Sequence, residues 1–140
     1  MTSHSLERTL TELDHVRLIH LLQRQGTAAL PPPTSRQIED LLDAAQVVPS
    51  RAVEPDVVTM YSQVLLRDPH ADTRSQLTLC YPADAEPAEG FVSVLSPVGR
   101  ALLGLRVGET AQWATPDGQA HAAEIVALLF QPEASGDYTL

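Results

Sequence analysis

Several sets of residues have the types that chemistry needs, and their spacing decides what they can do. Gly99, Gly104 and Gly108 lie in "SVLSPVGRALLGLRVGET", Ser93 to Thr110, just after an apolar run that reads as a strand. A strand, a glycine-rich turn and a helix hold pyrophosphate in several nucleotide-binding folds, because N–H groups at a helix N-terminus favour negative charge. The spacing fits neither GxGxxG nor GxxxxGK[ST], and the chain has no lysine for a terminal phosphate. His15 and His20 are five apart, whereas ligands on one helical face stand three or four apart, and His4, His70 and His121 are isolated. Cys80 follows an alternating run and precedes Tyr81, the setting of a small apolar filler. Ser93 and Ser96 lack a G-x-S-x-G elbow. Glu39, Asp40 and Asp43 cluster on a predicted helix; such carboxylates can do acid–base work or hold a cation, but here they read as its solvated face. The acidic "PADAEPAEG" reads as a solvated loop. No catalytic residue, metal site or cofactor site is assigned.

The balance of the whole chain agrees. Its 140 residues carry 18 carboxylates against 9 arginines, a formal charge of −9. Such a surface repels phosphates and anionic lipid, so charge-driven binding to nucleic acid or membrane is not expected, and a basic protein surface is the natural partner. One cysteine rules out an internal disulfide framework and suits a reducing compartment. No apolar run reaches membrane-spanning length and "MTSHSLERTL" is not a signal peptide, so a cytoplasmic protein is expected. A chain of this length, 44% apolar, can bury a core of its own.

These residues must be positioned by two parts of different texture. Residues 1–48 read as a helical hairpin, 49–56 as a linker within "VVPSRAVEPD", and 57–140 as a second domain. The first helix runs from a Thr11/Asp14 start signal to about Gln25, with Gly26 and Pro31–Pro33 in the loop after it. The second begins at a Thr34/Gln37 capping box and turns Ile38, Leu41, Leu42 and Ala45 to one face. Joined by a short loop, the two predict an antiparallel hairpin about 20 Å long. Beyond the linker the period becomes alternating. "VVTMYSQVLLRD" places Val58, Met60, Val64 and Leu66 on one face, and "SQLTLCYP" returns as its hairpin partner after a turn at 68–73. "EGFVSVL" reads as a third strand, "SPVGRALLG" as a short helix, and "ETAQWATP" and "HAAEIVALLFQ" as two strands joined by "PDGQ". The glycines that opened the question are then boundary markers. Ser96 is an N-cap, Pro97 the first helical residue, Gly104 the stop and Gly108 part of a turn. The fold class is α+β: a mostly antiparallel half-barrel of four or five strands crossed by one helix.

Assembled this way, the chain resembles the regulators of nucleoside diphosphate kinase, relatives of the bacterial transcript-cleavage factors GreA and GreB. The resemblance covers most of the chain. It is carried by "DVVTM" at 56–60, "YP" at 81–82, "SVLSPVGRALLGLRVGE" at 93–109, Trp113, and "QPEASGDY" at 131–138, the last pointing to the nucleoside diphosphate kinase regulators rather than to the Gre factors. It implies an N-terminal antiparallel coiled coil followed by an FKBP-like half-barrel. It also implies binding to RNA polymerase at the mouth of the secondary channel, mainly through the C-terminal domain. In Gre factors the loop carrying the Ser-Pro pair takes part in docking; Ser96 and Pro97 match it here, flanked by Leu95 and Gly99.

One departure matters. Gre factors carry acidic residues at the hairpin tip that help hold a catalytic magnesium. The tip here, "RQGTAALPPP" at 24–33, has no carboxylate, and the hairpin is much shorter. Magnesium is held through carboxylate oxygens, so stimulation of transcript cleavage is not expected. The expected function is therefore non-enzymatic: binding RNA polymerase and competing with Gre factors. Nucleoside diphosphate kinase itself is an alternative partner. Peptidyl-prolyl isomerase activity, which an FKBP-like fold suggests, is poorly supplied by a chain with six aromatic residues.

Overall fold

The computed structural model describes residues 7–29, 32–115 and 117–137, and the side chains of all of these except 24–29 and 32–35. The first described element is a three-residue strand, β1 (Thr9–Thr11), which passes directly into helix α1 (Glu12–Ala29). The expected start signal holds: the Asp14 N–H donates to Thr11 Oγ1 at 3.0 Å. The helix continues through Gly26 to Ala29, beyond its expected end near Gln25. Helix α2 (Pro32–Ala44) starts two residues ahead of Thr34, at prolines whose fixed φ suits a first helical turn. The expected cap side chain of Thr34 lies outside the described residues, as does the loop at Leu30 and Pro31. His15, early in α1, bonds the carbonyl of Leu42, late in α2, at 3.1 Å.

The expected linker, 49–56, carries a 3-10 turn and two ion pairs, and a short strand precedes it. Gln46–Val48 form β2, which pairs in parallel with β1, and Ser50–Ala52 make a 3-10 turn. Arg106 then fastens the segment, donating to Asp56 Oδ1 at 2.9 Å and Glu54 Oε1 at 3.3 Å.

Five further strands form one curled sheet in the order β5-β4-β3-β7-β6. They are β3 (Gln63–Arg67), β4 (Arg74–Cys80), β5 (Phe91–Ser93), β6 (Thr110–Ala114) and β7 (Ala120–Phe130). The β3–β4 hairpin closes on Arg67 opposite Arg74, which leaves the expected six-residue turn. The alternation from Val58 does not start a strand at that point. Residues 58–62 turn instead, with Tyr61 at φ 65°, and only Val64 and Leu66 alternate inward within β3. Their burial pattern misled because Val58 and Met60 are buried too, outside any strand: Val58 exchanges backbone bonds with Gly104 and Leu105, and the Met60 N–H donates to Asp14. β5 lies parallel to β4, while the other pairs of the five-stranded sheet are antiparallel.

Helix α3 (Pro97–Leu102) crosses between β5 and β6. Leu102, Leu103 and Leu105 are almost wholly buried, each worth about 2 kcal/mol of apolar burial. They join Leu18 and Leu21 of α1, Ile38 and Leu42 of α2, and Met60, Leu79 and Ile125 in one continuous core. Helices α1 and α2 and the sheet thus share their hydrophobic interior. Cys80 is buried, as expected of a filler, its thiol donating to the Val92 carbonyl at 3.4 Å. Among the described residues no helix is long and apolar enough to cross a membrane.

Candidate functional site

The turn from β5 into α3 is built from hydrogen bonds within itself. Ser93 Oγ accepts from the Leu95 N–H at 3.0 Å. The Ser93 carbonyl accepts from the Ser96 N–H at 3.0 Å and from the Ser96 hydroxyl at 2.6 Å. Ser96 Oγ in turn accepts from the Gly99 N–H at 3.2 Å, so Ser96 is the N-cap and Pro97 the first residue of α3. The Arg100 guanidinium donates back to the Leu95 carbonyl. Below the turn, the Val94 N–H donates to Cys80 on β4 at 2.8 Å. These bonds tie the loop to itself and to β4, and they leave Leu95, Ser96 and Pro97 half-buried at the surface. Gly99 is buried beneath them and acts on the surface only through the turn it permits.

A specific consequence is measurable. Ser96→Ala removes the cap and should cost about 1 kcal/mol in urea unfolding, with faster amide exchange at Gly99. A change below a few tenths of that would mean the cap contributes nothing to the turn.

Beside Pro97 a groove of about 660 Å³ opens between α2, α3 and β6. Its lining includes Glu7, Arg8, Asp40, Arg100 and the indole of Trp113, a mix suited to recognising a peptide surface. Burial lowers the pKa of both guanidiniums from the usual arginine value, and Glu109 pulls that of Arg8 back up. Trp113 is stacked on His121, ring centroids 5.7 Å apart.

The remaining candidates stay apart. His20, Glu39, Asp40 and Asp43 are exposed on their helices, and among the described residues no three His, Cys, Asp or Glu side chains stand where they could hold a metal ion. Sequence reasoning missed Asp14 as anything but a helix start. Asp14 is 1% exposed, its Oδ2 accepts the Met60 N–H at 3.1 Å, and its Oδ1 has no hydrogen-bond partner among the described residues. Burial raises its pKa to about 7, with the nearby charge of Glu133 adding to the rise and the Met60 and Thr11 bonds opposing it. Only the closure of α1 on the 58–62 turn creates that environment, so no local signal could have revealed it.

With the geometry in place, four matches to known proteins place the chain. The family model described as transcription elongation factor GreA/GreB, C-terminal, matches residues 53–129. Over 131 residues, 94% of this chain and 95% of the relative, the sequence is 40% identical to the regulator of nucleoside diphosphate kinase of Escherichia coli strain K12. Over 82 residues it is 37% identical to the transcription elongation factor GreA of Clostridium acetobutylicum, a match covering 59% of this chain and 52% of that one. Among solved structures, a prokaryotic GreA/GreB elongation factor from Nitrosomonas europaea superposes with a TM-score of 0.74 at 35% identity, covering 89% of this chain and 100% of the other.

Proposed function

The chain belongs to the family of regulators of nucleoside diphosphate kinase, with a C-terminal region of the GreA/GreB type, and from that premise we propose that it docks on RNA polymerase near the secondary channel through the Ser93–Gly99 turn. It acts there by occupancy, excluding Gre factors without stimulating transcript cleavage, and is not an enzyme. The observation that carries this reading is the self-bonded turn, which holds Leu95, Ser96 and Pro97 in one fixed conformation before any partner arrives. Charge supports it as well. After residue 48 twelve carboxylates face five arginines, a net −7 suited to a basic rim and a salt-sensitive association rate.

The finer structural reading belongs with this proposal. Residues 1–48 act as a short antiparallel coiled coil, 49–56 as the connection, and 57–140 as an FKBP-like docking domain. Polymerase partnership places the protein in the cytoplasm. A tip without carboxylates supplies no ligand for a catalytic magnesium.

The test is binding to core RNA polymerase with GreA as competitor at several salt concentrations. Mutual displacement that weakens with salt is expected, and Leu95→Asp should reduce affinity at least tenfold at a temperature where thermal unfolding shows the variant still folded, since Leu95 also packs against the core. Absence of binding into the tens of micromolar, about −6 kcal/mol, would overturn the polymerase reading. Co-purification of nucleoside diphosphate kinase without polymerase would then favour the kinase as the direct partner.

A further inference from the structure

We infer that Arg8, at the root of the helical hairpin, is a positioning residue for the docking turn and makes the placement of α3 depend on the hairpin. The inference rests on the docking reading for its functional meaning and on geometry for the rest.

Helix α3 has six residues, too few to be stable alone. Its N-terminal end is held by its own Ser96, but a helix C-terminus leaves carbonyls that need donors and a negative dipole end that favours a cation. Arg8 supplies both from more than ninety positions away. One guanidinium nitrogen, Nη1, donates to the carbonyls of Arg100 and Leu103, each at 2.7 Å, and to that of Ala101 at 3.4 Å.

Backbone contacts fix where that guanidinium stands. The Thr9 N–H donates to the Gly104 carbonyl at 3.1 Å, and the Gln46 N–H donates to the Arg8 carbonyl at 2.8 Å. Gly104, at φ +84°, allows this approach: a Cβ there would lie 2.9 Å from Arg8 Cβ and 3.1 Å from the Thr9 carbonyl oxygen. On its other side Gly104 donates to the Val58 carbonyl at 2.9 Å. The C-terminal end of α3 is therefore clamped between β1, which runs straight into α1, and the 57–58 segment of the other half. Arg8 also lines the groove beside Pro97. A displacement of the hairpin root therefore reaches the helix whose first residue is Pro97 through the Arg8 side chain as well as through the Thr9–Gly104 bond.

The test uses the full chain with Arg8→Met, which keeps the aliphatic stem and removes the donors, and Arg8→Lys, which keeps a cation with three donors. Hydrogen exchange is followed at the amides of Arg100, Leu103 and Gly104 and across β3, β4 and β7, without polymerase. Arg8→Met should accelerate exchange at the α3 amides at least tenfold with the sheet unchanged, and Arg8→Lys should restore most of the protection. Polymerase affinity should follow the same order, falling at least tenfold in Arg8→Met and recovering in Arg8→Lys. Unchanged α3 exchange, or uniform acceleration through the sheet, would overturn the inference. Should Arg8→Met not fold, Arg8→Gln, with one amide donor left, should show the same local acceleration to a smaller degree. If the wild type itself fails to bind polymerase, the docking reading falls, while the exchange pattern still decides whether Arg8 positions α3.

Discussion

Gly99→Ala should lower the unfolding free energy by about 3 kcal/mol or more, at the upper end of what overpacking a closed site costs. A Cβ at this position would stand 2.1 Å from the Ser93 carbonyl oxygen, 2.9 Å from its carbon and 3.0 Å from Val94 Cα. All three atoms are backbone, so no side chain can swing aside. The oxygen is also fixed by two donors from Ser96, and the adjacent Val94 N–H is paired with Cys80. Relief requires moving β5 or α3 bodily, with loss of those bonds or of Leu102 from the core. In a domain of this size about 3 kcal/mol corresponds to a fall in Tm of roughly 10 °C. Urea and thermal unfolding both measure it, and a loss under 1 kcal/mol would show that the turn yields in a way the geometry denies. The result also separates two roles. A glycine required by packing explains Gly99 without any partner, so docking is tested at Leu95, whose side chain reaches the surface.

The elements written in local chemistry were legible. Ser96, Pro97 and Gly104 bracket α3 as a cap, a first helical residue and a stop; the 68–73 turn and "PDGQ" close their hairpins; Thr11 starts α1. Those elements contain the candidate docking turn, whose local residues give only the helix boundaries; its docking role came from the family resemblance. The illegible parts depend on contacts between distant segments. β1 and β2 are three-residue strands with no alternation to detect, and Thr9 and Thr11 are buried because the backbone there pairs with β2 and Gly104. β5 pairs parallel to β4, a choice set by the 3-10 turns at Pro82–Asp84 and Pro87–Glu89, where sequence indicated only an acidic loop. Arg8 carried no signal at all, since its partners are main-chain carbonyls more than ninety residues on.

Asp14→Asn should make the protein more stable at pH 8 by about 2–4 kcal/mol and remove a pH dependence that the wild type carries. The sign is opposite to that of an ion-paired carboxylate. Here the folded-state pKa, about 7, lies above the ordinary value of 3.8, because the carboxyl is buried and faces the charge of Glu133. Between those values the folded state keeps the proton that the unfolded state has lost, so the native state binds more protons and stability falls as pH rises. The group's favourable contribution is complete below about pH 4 and is lost by the time pH passes 7, which amounts to about 2–3 kcal/mol between pH 5 and 8. Other groups face this site. Arg17 on α1 offsets part of the cost, the buried Tyr81 hydroxyl faces both Asp14 and Arg17, and Thr59 donates to Glu133 at 2.7 Å. Asparagine keeps the volume and an oxygen for the Met60 N–H, and its amide offers a donor toward the Glu133 carboxylate. Urea unfolding of both proteins from pH 5 to 8.5 isolates Asp14, since every other titration is common to the pair. Their difference should widen with pH and level off above 7. A difference that stays flat across the range would show that Asp14 is ionised in the folded protein, and that Arg17 and the Met60 N–H compensate a buried charge that desolvation alone would forbid.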